Sequence, residues 1–115
     1  MIVPANNVQV LVATKPVDFR RGADRLAALV QESLAADPFC GMIYVFRAKR
    51  ANRVKVLWWD GQGLCLFAKR LEKGRFTWPN TKEGSVTLTP AQLSMLVEGL
   101  EWRAPRPTWA PTLAG

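Results

Sequence analysis

The chain contains no histidine. That absence removes the usual general base, the familiar nucleophilic triads and the commonest metal ligand. Cysteine is scarce too. Cys40 and Cys65 have no Cys-x-x-Cys spacing and no partner ligands, so neither a zinc site nor a disulfide framework is indicated, and two buried free thiols are expected. No apolar run approaches the ~20 residues of a membrane span, and residues 1–10 lack the basic and apolar regions of a secretion signal. A cytoplasmic protein without a membrane partner is the expectation. A phosphate-cradling loop is also missing, because Gly61-Gln62-Gly63 has neither the spacing nor the Lys-Ser/Thr of a nucleotide site and reads as turn chemistry. Acidic residues are few, and metal-assisted phosphodiester chemistry would need several of them converging on two cations. Asp18, Asp24, Asp60 and Glu72 are the best supply, yet Asp18 reads as a helix cap and Asp60 as a turn former. The expectation is therefore a non-enzyme with no cofactor and no metal.

What is present suits one folded domain. At 115 residues, with 49% hydrophobic and 22% charged residues, the composition is that of an ordinary globular chain. Residues 8–13 read as a strand that the following Thr-Lys-Pro ends. From Arg20 the pattern changes: Ala23, Leu26, Ala27, Val30 and Leu34 recur at three- and four-residue steps, the signature of one helical face, with Asp18 as the candidate cap and Asp37-Pro38 as the stop. Residues 42–47, 53–59 and 64–70 are three runs rich in β-branched and aromatic residues, separated by hairpin-like breaks, and predict an antiparallel meander. Residues 76–78 and 85–88 are candidates for short extra strands. Thr89-Pro90-Ala91-Gln92 carries the elements of a capping box with proline at the first helical position, predicting a helix over 90–98 with Leu93, Leu96 and Val97 inward. The predicted fold is α+β, a single domain over residues 1–103 in which an antiparallel meander is packed by two helices. Residues 104–115, rich in proline and without periodicity, are expected to form an extended or disordered tail.

Charge is unevenly placed. Sixteen Lys and Arg stand against nine Asp and Glu, a net charge of +7, and residues 38–75 alone hold Arg47, Lys49, Arg50, Arg53, Lys55, Lys69, Arg70, Lys73 and Arg75 against Asp60 and Glu72. The meander thus carries the whole excess. If Arg47 opposes Arg53 and Gly61-Gln62 forms a two-residue turn, one sheet face collects Met42, Tyr44, Phe46, Val54, Val56, Trp58, Cys65 and Phe67 as core. The other face then carries Arg47, Arg53, Lys55 and Arg70 at one end and Leu57, Trp59, Leu64 and Leu66 towards the other. Cations beside an aromatic group suit nucleic acid, since phosphates need charge and bases stack on rings. Two readings of that apolar stretch stay open, a stacking surface or a patch covered by the first helix. Arg20, Arg21 and Arg25 give the first helix a basic entrance, able either to hold a phosphate or to pair with Asp18 and Asp24.

The ordered segments Val17-Asp18-Phe19-Arg20-Arg21-Gly22-Ala23-Asp24, Tyr44-Val45-Phe46-Arg47, Lys55-Val56-Leu57-Trp58-Trp59-Asp60-Gly61, Gly63-Leu64-Cys65-Leu66-Phe67-Ala68-Lys69-Arg70-Leu71-Glu72, Gly74-Arg75-Phe76-Thr77-Trp78-Pro79 and Leu88-Thr89-Pro90-Ala91-Gln92-Leu93 are distinctive. Together they resemble the TnpB-type accessory protein, the second open reading frame product, of the insertion-sequence sixty-six family of bacterial transposons. This TnpB is not the RNA-guided nuclease that shares its letters. The resemblance runs from about Val8 to Trp102 and implies a role in moving the element beside a separate transposase, with no catalytic residue to carry over. The expected function is a non-catalytic transposition accessory protein that binds DNA through the basic hairpin, with RNA as another candidate ligand. The alternative is an interaction subunit that contacts the transposase through exposed aromatics such as Trp102 and Trp109 and touches DNA little.

Overall fold

The computed structural model describes residues 8–103, so the proline-rich segment and Trp109 lie outside the described residues. Seven elements follow in order: β1 (Val10–Ala13), α1 (Ala23–Ser33), β2 (Ile43–Arg47), β3 (Arg53–Trp59), β4 (Leu64–Arg70), β5 (Ser85–Leu88) and α2 (Pro90–Val97). They form one five-stranded sheet in the order β4-β3-β2-β1-β5. The architecture is α+β, with β2, β3 and β4 forming the antiparallel meander that their composition predicts. One pairing is parallel. β1 lies beside β2 in the same direction, joined through α1, because a parallel pair needs a long crossover and a helix supplies it.

The helices serve opposite faces. Leu26, Ala27 and Val30 of α1 pack with Ala13, Tyr44, Phe46 and Leu57, whereas Leu93, Leu96 and Val97 of α2 join Val10, Val12, Ile43, Val45, Val54, Val56 and Leu88. Each fully buried aliphatic side chain contributes about 1.5–3 kcal/mol, so both layers are needed to hold the sheet. Tyr44 is wholly buried, and its hydroxyl donates to the Asp37 carbonyl at 2.7 Å. Burial, first of all, pushes its phenol well above the usual range.

The register corrects the expected face assignment. Arg47 pairs with Val54, not Arg53, so Tyr44 and Phe46 share a face with Lys55 and Leu57, while Ile43, Val45 and Arg47 share one with Val54 and Val56. A one-residue slip exchanges every side chain between faces. Its cause lies outside the hairpin: the Ala51 carbonyl accepts from the Phe76 amide at 3.0 Å and from the Trp78 indole at 3.0 Å, so the turn is shaped by the loop that clasps it. The β3–β4 register is the predicted one, with Trp59 opposite Leu64 and Arg53 opposite Arg70. There the Asp60 carboxylate accepts from the amides of Gln62 and Gly63, both at 2.9 Å, and Gly61 takes a φ of 99° that favours glycine.

Three further expectations are corrected. Asp18 does not cap α1; Gly22 does, because the Asp18 carboxylate is taken by the amide and guanidinium of Arg20. Residues 76–78 form no strand, their backbone instead following the β2–β3 turn. Trp102 is not exposed but 5% accessible, its indole donating to the Thr77 carbonyl at 2.6 Å. The capping box of α2 forms as expected. Thr89 Oγ1 accepts from the Gln92 amide at 3.1 Å and Gln92 Oε1 from the Thr89 amide at 2.9 Å, an arrangement worth about 1 kcal/mol.

Candidate nucleic-acid interface

The parallel crossover decides which side chains meet. β1 and β2 end at the same edge of the sheet, where β3 begins and β4 ends, so the segments that follow or precede them are gathered there. The Val17 amide donates to the Arg47 carbonyl at 2.8 Å, tying the strand-to-helix loop to the hairpin. Leu71 and Phe76 donate to Asn52 and Ala51 at 2.8 and 3.0 Å, pinning both ends of the loop after β4 to the same turn. Segments 17–21, 47–53 and 70–75 therefore form one end of the molecule. They hold nine cations, Arg20, Arg21, Arg47, Lys49, Arg50, Arg53, Arg70, Lys73 and Arg75, against Asp18 and Glu72.

The residues singled out from the sequence divide by role. Lys49, Arg50, Lys73 and Arg75 are exposed on the two loops, and among the described residues no carboxylate pairs with them. Arg70 is exposed and bridges Glu72 at 3.2 Å, a surface pair of little energetic weight. Arg53 is half-buried, its guanidinium carbon 5.6 Å from the Phe19 ring centroid. Arg47 points to the α2 face and lies over Trp78 at 5.5 Å.

The ammonium groups of Lys55 and Lys69 are engaged within the fold. Lys55 is only 8% accessible; its Nζ donates to the carbonyls of Phe19 and Arg21 and sits 4.5 Å from the Phe19 ring centroid. Burial pulls its pKa below the usual lysine range, opposed by the nearby Asp18 charge. Lys69 Nζ donates to the Val97 carbonyl at 2.8 Å, supplying a cation to the C-terminal end of α2.

Arg20, Arg21 and Phe19 join the basic end through the crossover. Sequence reasoning placed the two arginines at a separate helix entrance and singled out Phe19 for nothing; their proximity to the hairpin depends on a parallel pairing that local pattern does not encode. Arg20 is bonded to Asp18 through Nε and Nη2, at 3.1 and 2.8 Å, and this contact holds the Asp18 carboxyl well below the usual carboxylate range. α1 starts immediately beyond, its Gly22 cap offering no side-chain acceptor to the first amides.

The opposite end of β3 is apolar. Trp59 is half-buried with Phe39 packed edge-on at 5.5 Å, while Phe39 and Leu66 are 50% and 37% accessible. Leu57, by contrast, is fully buried beside α1, so the apolar stretch is covered in part and open in part. Cys40 is exposed and Cys65 half-buried, both as free thiols, so the expected burial fails for Cys40 and holds only partly for Cys65. Among the described residues no three His, Cys, Asp or Glu side chains gather where a metal could sit, and no helix is long and apolar enough to cross a membrane.

A family model described as IS66 Orf2 like protein matches residues 8–107. The chain belongs to the IS66 Orf2-like family. Membership gives it a transposition-associated accessory role in the context of an insertion sequence. Two proteins of Sinorhizobium fredii (strain NBRC 101917 / NGR234) are similar to it. Uncharacterized protein y4hO is 47% identical over 115 residues, covering 100% of both chains. Uncharacterized protein y4jC is 50% identical over 102 residues, covering 89% of this chain and 87% of its own. No solved structure matches the chain. The family match spans α1, the meander and α2, and thus every segment that builds the basic end of this IS66 Orf2-like protein.

Proposed function

We propose that this protein is a non-catalytic, cytoplasmic accessory factor of transposition that binds nucleic acid, DNA above all, through the basic end of its sheet and so assists the transposase of the same element. The observation that carries this reading is the convergence of three separate segments into an end with nine cations and two carboxylates, both already in ion pairs. A solvated surface would mix the signs more evenly, and such a concentration of Arg and Lys is the electrostatic footprint expected of a phosphate-binding face. Lys49, Arg50, Arg53, Arg70, Lys73 and Arg75 are the proposed phosphate contacts, joined by Arg20 and Arg21. Arg47, Lys55 and Lys69 shape the scaffold that presents them. No cofactor or metal enters this role.

Replacing Lys49, Arg50, Lys73 and Arg75 together by Gln tests the assignment, because all four are exposed and none holds the fold. Affinity for a duplex carrying the element's terminal repeats should fall roughly tenfold or more at moderate salt, with thermal melting unchanged. Unaltered affinity in a folded variant would move the site elsewhere.

A second reading, an interaction subunit for the transposase, draws on the apolar end, where Phe39 and Leu66 are exposed around Trp59. Exposed aromatic patches of this kind suit protein contacts. Co-purification with the transposase from nuclease-treated lysate at high salt, abolished by Phe39→Ser, would favour it.

A further inference from the structure

The basic end contains an aromatic wall as well as charge. Phe19 and Arg53 together separate two open clefts: one of about 470 Å³ also lined by Arg20, Lys49 and Arg50, the other of about 380 Å³ also lined by Arg70. They are the two residues common to both. The ring is fixed from within, since Lys55 approaches it at 4.5 Å while holding the carbonyls of Phe19 and Arg21. Arg53 lies over the same ring and meets no carboxylate among the described residues; its buried Nε finds no acceptor there either. Its guanidinium carbon thus lies over an aromatic ring with no ion pair, and the residue lines both clefts.

We propose that the Phe19–Arg53 pair is a base-stacking wall and that the ligand of the basic end is a single-stranded stretch of nucleic acid, with one unpaired base against the wall and its flanking phosphates in the two clefts. This inference rests on the reading of the basic end as a nucleic-acid interface and narrows its substrate class. Stacking surfaces are ring faces and guanidinium planes, and both are combined here. The base faces of a duplex are buried in its own stack, so a paired base reaches such a wall only after extrusion, which costs unpairing energy. A charged groove interrupted by an aromatic platform is the arrangement that follows a single strand, with cations on either side of the ring meeting successive phosphates. The clefts carry cations on both sides of the wall: Arg20, Lys49 and Arg50 line one, where Arg20 pairs with Asp18, and Arg70 lines the other, where it pairs with Glu72.

The test is a fluorescence anisotropy titration at one salt concentration with three probes of equal length, single-stranded DNA, single-stranded RNA of the same sequence, and duplex DNA. The wild-type protein should bind at least one single strand roughly tenfold more tightly than the duplex, a factor within the range of one stacked base. The tighter single strand identifies DNA or RNA as the source of that chemistry. Phe19→Leu, which keeps an apolar side chain but removes the ring, should abolish most of that preference, and Phe19→Tyr should retain it. Duplex bound as tightly as both single strands, or Phe19→Leu without effect while Lys49→Gln with Arg50→Gln weakens every probe, would overturn the stacking wall and leave the basic interface standing. Absence of binding to all three probes at low salt would overturn both.

Discussion

Lys55 illustrates how a single side chain changes meaning between sequence and fold. In a run of cations it counts as one more charge for phosphate, yet its ammonium joins β3 to the carbonyls of Phe19 and Arg21, residues 36 and 34 positions away. Replacing it by Met should cost about 1.5–3 kcal/mol, the usual worth of hydrogen bonds to a charged group, read as a lower denaturant midpoint. An unchanged midpoint would mean that the loop holds without it. Lys69, whose acceptor on Val97 is 28 residues away, was equally illegible, because no local pattern announces a distant carbonyl. Lys49 and Arg50 were legible, since a charged turn tip has nowhere to be buried. The acid limb of stability follows from carboxylates held in the charged form. Arg103 holds the Glu101 carboxyl down at about 2, and Asp18 and Asp60 are also depressed, by Arg20 and by the turn amides. The folded state therefore binds these protons less readily than the unfolded chain. Their stabilising contribution is complete above the ordinary carboxylate range near pH 4 and is lost as pH falls towards 2. Melting temperature should decline across that window, and Glu101→Gln should flatten the decline; an identical profile for the variant would contradict the assignment.

At the level of elements, sequence signals held where the determinant was local. The capping box, the meander strands and the two-residue β3–β4 turn all depend on neighbours within a few positions, and each is present in the fold. The β2–β3 register depended on a remote partner, the loop at 71–78, and was misread for that reason, whereas the start of α1 was misread because Arg20, only two residues on, takes the Asp18 carboxylate away from the helix. The two helix ends differ instructively. α2 closes through Gly99 at φ 76°, with the amides of Gly99 and Leu100 returning to Leu96 and Met95 at 3.0 and 2.9 Å. α1 leaves through Ala35 at φ 50°, a left-handed conformation that costs an alanine about 1 kcal/mol or more. Because Ala35 is exposed, Ala35→Gly should raise stability by about 0.5–1 kcal/mol in chemical denaturation, after glycine's greater unfolded-state entropy is set against the relieved strain. A loss of stability would show that the alanine methyl matters more than its backbone.

On the scale of the whole molecule, the parallel β1–β2 pair is the decisive feature and the one that sequence pattern left hidden. It carries residues 17–21 to the hairpin, making one basic end out of charges that lie far apart along the chain, while the apolar group of Phe39, Trp59 and Leu66 gathers towards the opposite end of β3. The two ends correspond to the two proposed readings, nucleic acid at the basic end and a protein contact at the apolar one. The most direct test of the nucleic-acid end is the salt dependence of binding by the full chain. If about five of its cations each neutralise a phosphate, a plot of log affinity against log salt should have a slope between about −3.5 for a single strand and −4.5 for a duplex. An affinity that does not change with salt would contradict the account.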